Sequence, residues 1–124
     1  MDREMKIKAF ALLALAPLSG FAADFVLTDA EQIKDASSIQ KSVDAIFAKV
    51  AQCVDRKLAE PSRCFCLYPV ELEDFKKVFA TVIKNHPEWK DKIVYFEGRT
   101  EGHTKGHNLG FVGLQRMSEM KCEK

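Results

Sequence analysis

Four cysteines, at positions 53, 64, 66 and 122, limit this chain more than any other feature, because whichever way they pair fixes which distant segments lie together. Whether they pair at all depends on the compartment, and that is written at the other end of the chain. Residues 5 to 22 open with Lys6 and Lys8, continue through an apolar run from Ala9 to Leu18 and end on small residues, the layout of a bacterial Sec-type signal peptide. The run falls short of the roughly 20 apolar residues that cross a bilayer, so no transmembrane anchor is expected. Gly20 and Ala22 place the cleavage between Ala22 and Ala23. Leu18-Ser19-Gly20 resembles the start of a lipoprotein processing box, but Phe21 stands where the lipidated Cys belongs, so no lipid anchor is expected either. Asp2 and Glu4 are foreign to a basic leader, which favours translation from Met5 over Met1. The expected location is therefore the periplasm or the exterior of a bacterial cell, where thiols oxidise.

Residues 23–124 then form a single small domain with 16 basic and 16 acidic side chains. Such a balance gives no electrostatic footprint for nucleic acid. A domain of this length buries a core of its own with a thin margin, and staples widen it. Bridging Cys64 to Cys66 would close a strained ring and leave Cys53 to Cys122. The other two schemes each close one short and one long loop, worth about 3 and about 4 kcal/mol in either case. Cys53 with Cys64 and Cys66 with Cys122 is the working expectation.

Thr28 followed by Glu31 reads as a capping box, with Phe25 or Leu27 as its hydrophobic staple. From there apolar residues recur at spacings of three and four from Ile33 to Leu58, predicting one amphipathic helix to about Ala59, kinked near Ser37-Ser38 and ended by Pro61. Pro69, followed by Glu71, Glu73 and Asp74, opens a second helix, which Asn85-His86-Pro87 closes. Lys92 to Glu97 reads as a strand and Asn108 to Val112 as its partner, with the glycine-rich stretch between them as a mobile loop. Leu114 to about Cys122 favours helix. The predicted fold is α+β: two long antiparallel helices, a two-stranded β-hairpin and a short C-terminal helix, stapled by disulfides.

No catalytic constellation is visible. There is no Gly-x-Ser-x-Gly elbow, and Gly102-His103-Thr104-Lys105-Gly106 reverses the Lys-Thr order of a phosphate-binding loop and lacks its flanking strand and helix, so no cofactor is expected. His86 reads as a cap on the second helix and the acidic cluster at residues 71 to 74 as a helix-dipole match. Trp89, Tyr95 and Phe96 read as core plugs ahead of a stacking patch. What remains is a binding loop presenting Arg99, Glu101, His103, Lys105 and His107 to a protein or small ligand of the cell envelope. Two chemical alternatives compete with it: a metal site joining His103 and His107 to Cys64 and Cys66, and a thiol-disulfide pair at Cys64-Phe65-Cys66.

Overall fold

The computed structural model describes residues 23–100 and 102–122, with Arg99 and Thr100 described by their backbone alone. The predicted signal peptide through Ala22, and Glu101, lie outside the described residues; Ala23 is the first residue described. The architecture is α+β, held by two disulfides. In chain order it comprises β1 (Phe25–Val26), α1 (Ala30–Asp55), a 3-10 segment (Pro61–Leu67), α2 (Pro69–Asn85), a 3-10 turn (Pro87–Trp89), β2 (Ile93–Thr100), β3 (His103–Gly110) and α3 (Phe111–Ser118).

The first helix starts one residue later than its capping box implies. Asp29 is the cap, its carboxylate accepting from the backbone N–H of Glu31 at 3.1 Å and of Gln32 at 3.0 Å. A charged oxygen at this position satisfies two orphan donors and suits the positive end of the helix dipole, which a Thr28 hydroxyl does less well. The helix runs unbroken through Ser37 and Ser38, and the Ser38 hydroxyl donates to the Asp35 carbonyl at 2.7 Å. It also ends earlier, at Asp55. There Lys57 turns into the left-handed region at φ 54°, with Lys57 N–H bonded to the Val54 carbonyl at 3.2 Å and Leu58 N–H to the Cys53 carbonyl at 3.0 Å. These two bonds form a Schellman cap built without the usual glycine, so Pro61 is not the terminator.

Among the described residues the sheet has three strands in the order β1-β2-β3, not two. Phe25 and Val26, expected as a helix staple and its neighbour, pair in parallel with Val94 and Tyr95. A strand of two residues is too short to show a period. The hairpin is also longer than predicted: β2 and β3 pair from Ile93↔Gly110 to Thr100↔His103. The stretch expected as a mobile loop is therefore strand, and only Gly102, at φ 81°, serves a turn. One glycine, Gly106, marks close packing instead, whereas Gly98 leaves room for ordinary contact. A Cβ on Gly106 would lie 2.4 Å from Tyr95 Oη, and one on Gly98 would touch Phe96 and His107 at 3.5 and 3.7 Å. Phe111 and Val112, expected in the strand, already belong to α3, because Phe111 is needed in the core.

That core lies between α1, α2 and one face of the sheet. Ile39 and Ile46 from α1, Leu72 and Phe75 from α2, Val94 and Phe96 from β2 and Phe111 from α3 are buried together with Trp89. Rings link the elements, Phe79 to Phe111 at 6.0 Å and Trp89 to Phe111 at 5.8 Å. Trp89 and Phe96 are core residues, whereas Tyr95 points to the opposite face of the sheet and is half-buried.

Candidate functional site

The Cys53–Cys64 bridge joins the end of α1 to the 3-10 segment, and the Cys66–Cys122 bridge returns the C-terminal end to that same segment. Both bridges thus meet at Pro61–Leu67. At the other end of the helix pair His86, the residue after α2, reaches Asp35 on α1 with Nε2 2.7 Å from Oδ2, and its ring stacks on Trp89 at 4.0 Å. The two long helices are pinned at both ends, antiparallel, and the hairpin lies across the framework they make.

On this framework the hairpin has one face toward α1. Val94 and Phe96 are buried there, and in antiparallel pairing the residues opposite them share their face, so Leu109, His107, Lys105 and His103 form one row along β3. His107 is half-buried with its ring stacked on Phe96, centroids 5.0 Å apart. Beyond it, Lys105 and His103 are exposed. Ser37, Gln40, Lys41 and Asp44 recur at helical spacing on α1 and, with Phe96, Gly98 and His107, enclose an open groove of about 150 Å³. Gly98 keeps it open, since a side chain there would project toward Phe96 and His107. Gln40 Nε2 donates to Asp44 Oδ1 at 2.9 Å, leaving the Lys41 ammonium and the His107 edge as further polar groups of the groove.

The opposite face of the hairpin is different in character. Tyr95 lies over Gly106 and its hydroxyl donates to Glu97 Oε2 at 3.3 Å. Its phenol is held above the ordinary value of 10.0, first by desolvation and then by the charge and hydrogen bond of the Glu97 carboxylate.

Of the predicted binding residues, His103, Lys105 and His107 share one face of β3, Arg99 sits on β2 opposite Thr104, and Glu101 lies outside the described residues. The residues of the metal alternative are not brought together. Extended backbone sets His103 and His107 about 13 Å apart along the strand. Cys64 and Cys66 are each oxidised in a different bridge on another part of the molecule. Among the described residues no group of three His, Cys, Asp or Glu side chains is placed to hold a metal ion. The same bridges separate the sulfurs of the proposed redox pair. Reading the sequence alone missed the α1 side of the groove, because Ser37, Gln40, Lys41 and Asp44 look like an ordinary solvated helix face until the hairpin crosses it. Among the described residues no helix is long and apolar enough to cross a membrane. The chain matches no family model, no curated protein and no solved structure.

Proposed function

We propose that the protein is a small exported binding module of the bacterial envelope, in which a disulfide-stapled helix pair holds out the β2–β3 hairpin as its recognition element. The observation that carries this reading is the row His103, Lys105 and His107 on the α1-facing side of β3, two of its three side chains exposed, beside a groove floored by Phe96 and Gly98. A rigid scaffold presenting a polar, uncommitted strand pair is the usual division of labour in binding proteins. The signal-like leader and the even number of paired cysteines support export.

Two measurements test the two halves. The intact mass of the protein expressed in a bacterium from its own leader should begin at Ala23; a mass beginning at Met1 or Met5 removes export from the reading. For the hairpin, residues 99–104 are replaced by Asn-Gly, so that Gly98 and Lys105 close a tight two-residue turn. This trimmed protein should keep its circular dichroism and lose the envelope proteins that the intact chain captures by crosslinking. Undiminished capture would remove residues 99–104 from recognition, and undiminished capture when Lys105→Ala and His107→Ala are added to the trim would move recognition elsewhere on the molecule.

A further inference from the structure

β3 is the outer strand of the described sheet, and its free edge can be read residue by residue. Ile93 and Tyr95 turn their carbonyls toward β1, accepting from Asp24 and Leu27 N–H, and the Ile93 N–H also points that way, to the Asp24 carboxylate. Alternation then directs the backbone of Val94, Phe96 and Gly98 toward β3, and the Phe111 N–H on the Lys92 carbonyl continues the same parity. Their partners Leu109, His107 and Lys105 are therefore satisfied within the hairpin. The residues between them, Thr104, Gly106 and Asn108, turn their N–H and C=O groups outward.

This edge is poorly guarded. It runs for eight residues, contains no proline and keeps a continuous register with β2, whereas natural edge strands are blunted by shortness, proline, bulges or charge. Its one fixed charge is Lys105. The other edge of the hairpin is shorter, because β1 already covers β2 as far as Tyr95 and Glu97 places a carboxylate on what is left. β3 itself carries no acidic residue, and the side chains that an incoming strand would meet on the α1 side are His103, Lys105 and His107.

Resting on the hairpin as the recognition element, the geometry points to strand addition: β3 takes an extended segment of a partner protein as a fourth strand, with acidic side chains at alternate positions facing His103, Lys105 and His107. Backbone bonds from Thr104, Gly106 and Asn108 hold the segment and set its register. Specificity comes from the row of nitrogen-bearing side chains, which a carboxylate complements and a lysine opposes. A second copy of this chain is the poorer occupant, since antiparallel self-pairing of β3 sets Lys105 and the two histidines against their own kind.

Capped eight-residue peptides test this directly: an alternating Thr-Glu sequence, the Thr-Lys counterpart, and a Thr-Glu sequence interrupted by proline. Amide NMR with hydrogen exchange should show the Thr-Glu peptide shifting and protecting Thr104, Gly106 and Asn108, with the other two weaker by about ten-fold or more. Thr104→Pro and Asn108→Pro remove outward donors at positions where an edge strand accepts proline, and each should weaken binding by about ten-fold. Lys105→Glu should reverse the preference between Glu and Lys peptides. Binding untouched by both proline variants, binding with shifts confined elsewhere, or no binding of any peptide overturns strand addition. So does protection of the β3 amides in a dimer seen by sedimentation without peptide, which would give the edge to a second copy. If the trimmed hairpin carrying Lys105→Ala and His107→Ala loses its crosslinked partners while no peptide binds, the module stands and this mode of recognition falls; if capture survives those changes as well, both fall.

Discussion

His86 joins the last turn of α2 to the second turn of α1, its Nε2 2.7 Å from Asp35 Oδ2 while its ring lies parallel to Trp89 at 4.0 Å. The side chain is only 13% exposed and Glu88 stands 3.7 Å from its other nitrogen. Three groups thus fix one imidazole, and the imidazole in turn covers Trp89, whose own exposure is 1%. His86→Ala removes the hydrogen bond and bares one face of the indole, and should cost about 1–3 kcal/mol by urea unfolding. Asp35→Asn keeps an acceptor and should cost less. A double-mutant cycle of the two should give a coupling of about 0.5 kcal/mol or more. Additive losses would reduce the contact to two independent surface residues.

This join was half legible in the sequence. Asn85-His86-Pro87 announces the end of a helix, and the structure places His86 there as the cap. Its partner Asp35 lies 51 residues away, half-buried on the second turn of α1, and nothing local marks it. The same contrast runs through the fold. Helices with strong periodicity, such as Pro69–Asn85, stand where proline and apolar spacing put them. Features set by distant contacts do not: β1 exists because Val94 and Tyr95 offer an edge, and Gly106 lies where the Tyr95 ring leaves no room for a side chain. In the candidate site, His107, Lys105 and His103 were visible as residues, but their common face follows from strand spacing that glycine content disguised.

The two bridges differ in access, and that sets the order in which a reductant opens them. Cys53 and Cys64 are both fully buried, whereas Cys122 is exposed and Cys66 half-buried beside a recess of about 240 Å³ lined by Ser62, Arg63, Met120 and Lys121. Thiolate attack requires approach to a sulfur. Under graded dithiothreitol with alkylation and peptide mapping, the one-bridge species should carry label on Cys66 and Cys122 and retain Cys53–Cys64. Label on Cys53 or Cys64 in that species would mean that the helix pair opens before its C-terminal tether. Loss of the long loop alone should lower stability by about 4 kcal/mol if chain entropy governs it.

Gly98 and Gly106 face opposite sides of the hairpin and should respond oppositely to a methyl group. At Gly106 a Cβ meets Tyr95 Oη at 2.4 Å, Cε1 at 2.9 Å and Cζ at 3.0 Å, so the ring must move. Gly106→Ala should therefore destabilise by about 1–3 kcal/mol, and most of that cost should vanish in a Tyr95→Ala background. At Gly98 the nearest atom is Phe96 Cε2 at 3.5 Å, an ordinary contact. Relieved of glycine's extra backbone entropy, Gly98→Ala should be neutral or more stable by up to about 1 kcal/mol. Equal losses at both positions would show that strand entropy, not the Tyr95 ring, decides the glycines.

Tyr95 makes the outer face of the hairpin titratable in a way that can be read optically. The chain has two tyrosines, so in Tyr68→Phe the absorbance at tyrosinate wavelengths reports Tyr95 alone. Its midpoint should lie above the ordinary value of 10.0, because desolvation and the neighbouring Glu97 carboxylate both disfavour phenolate. Glu97→Gln removes the charge while leaving an acceptor, and should bring the midpoint down toward 10.0 without restoring it fully, since desolvation comes first among the causes. The sign for stability follows from proton counting. Between the unfolded and folded values the native chain holds more protons than the unfolded one, so stability falls as pH rises above about 10. Tyr95→Phe should flatten that fall. A midpoint at or below 10.0 would mean that the phenol is solvated and that the Tyr95–Glu97 contact at the base of the hairpin is not formed in solution.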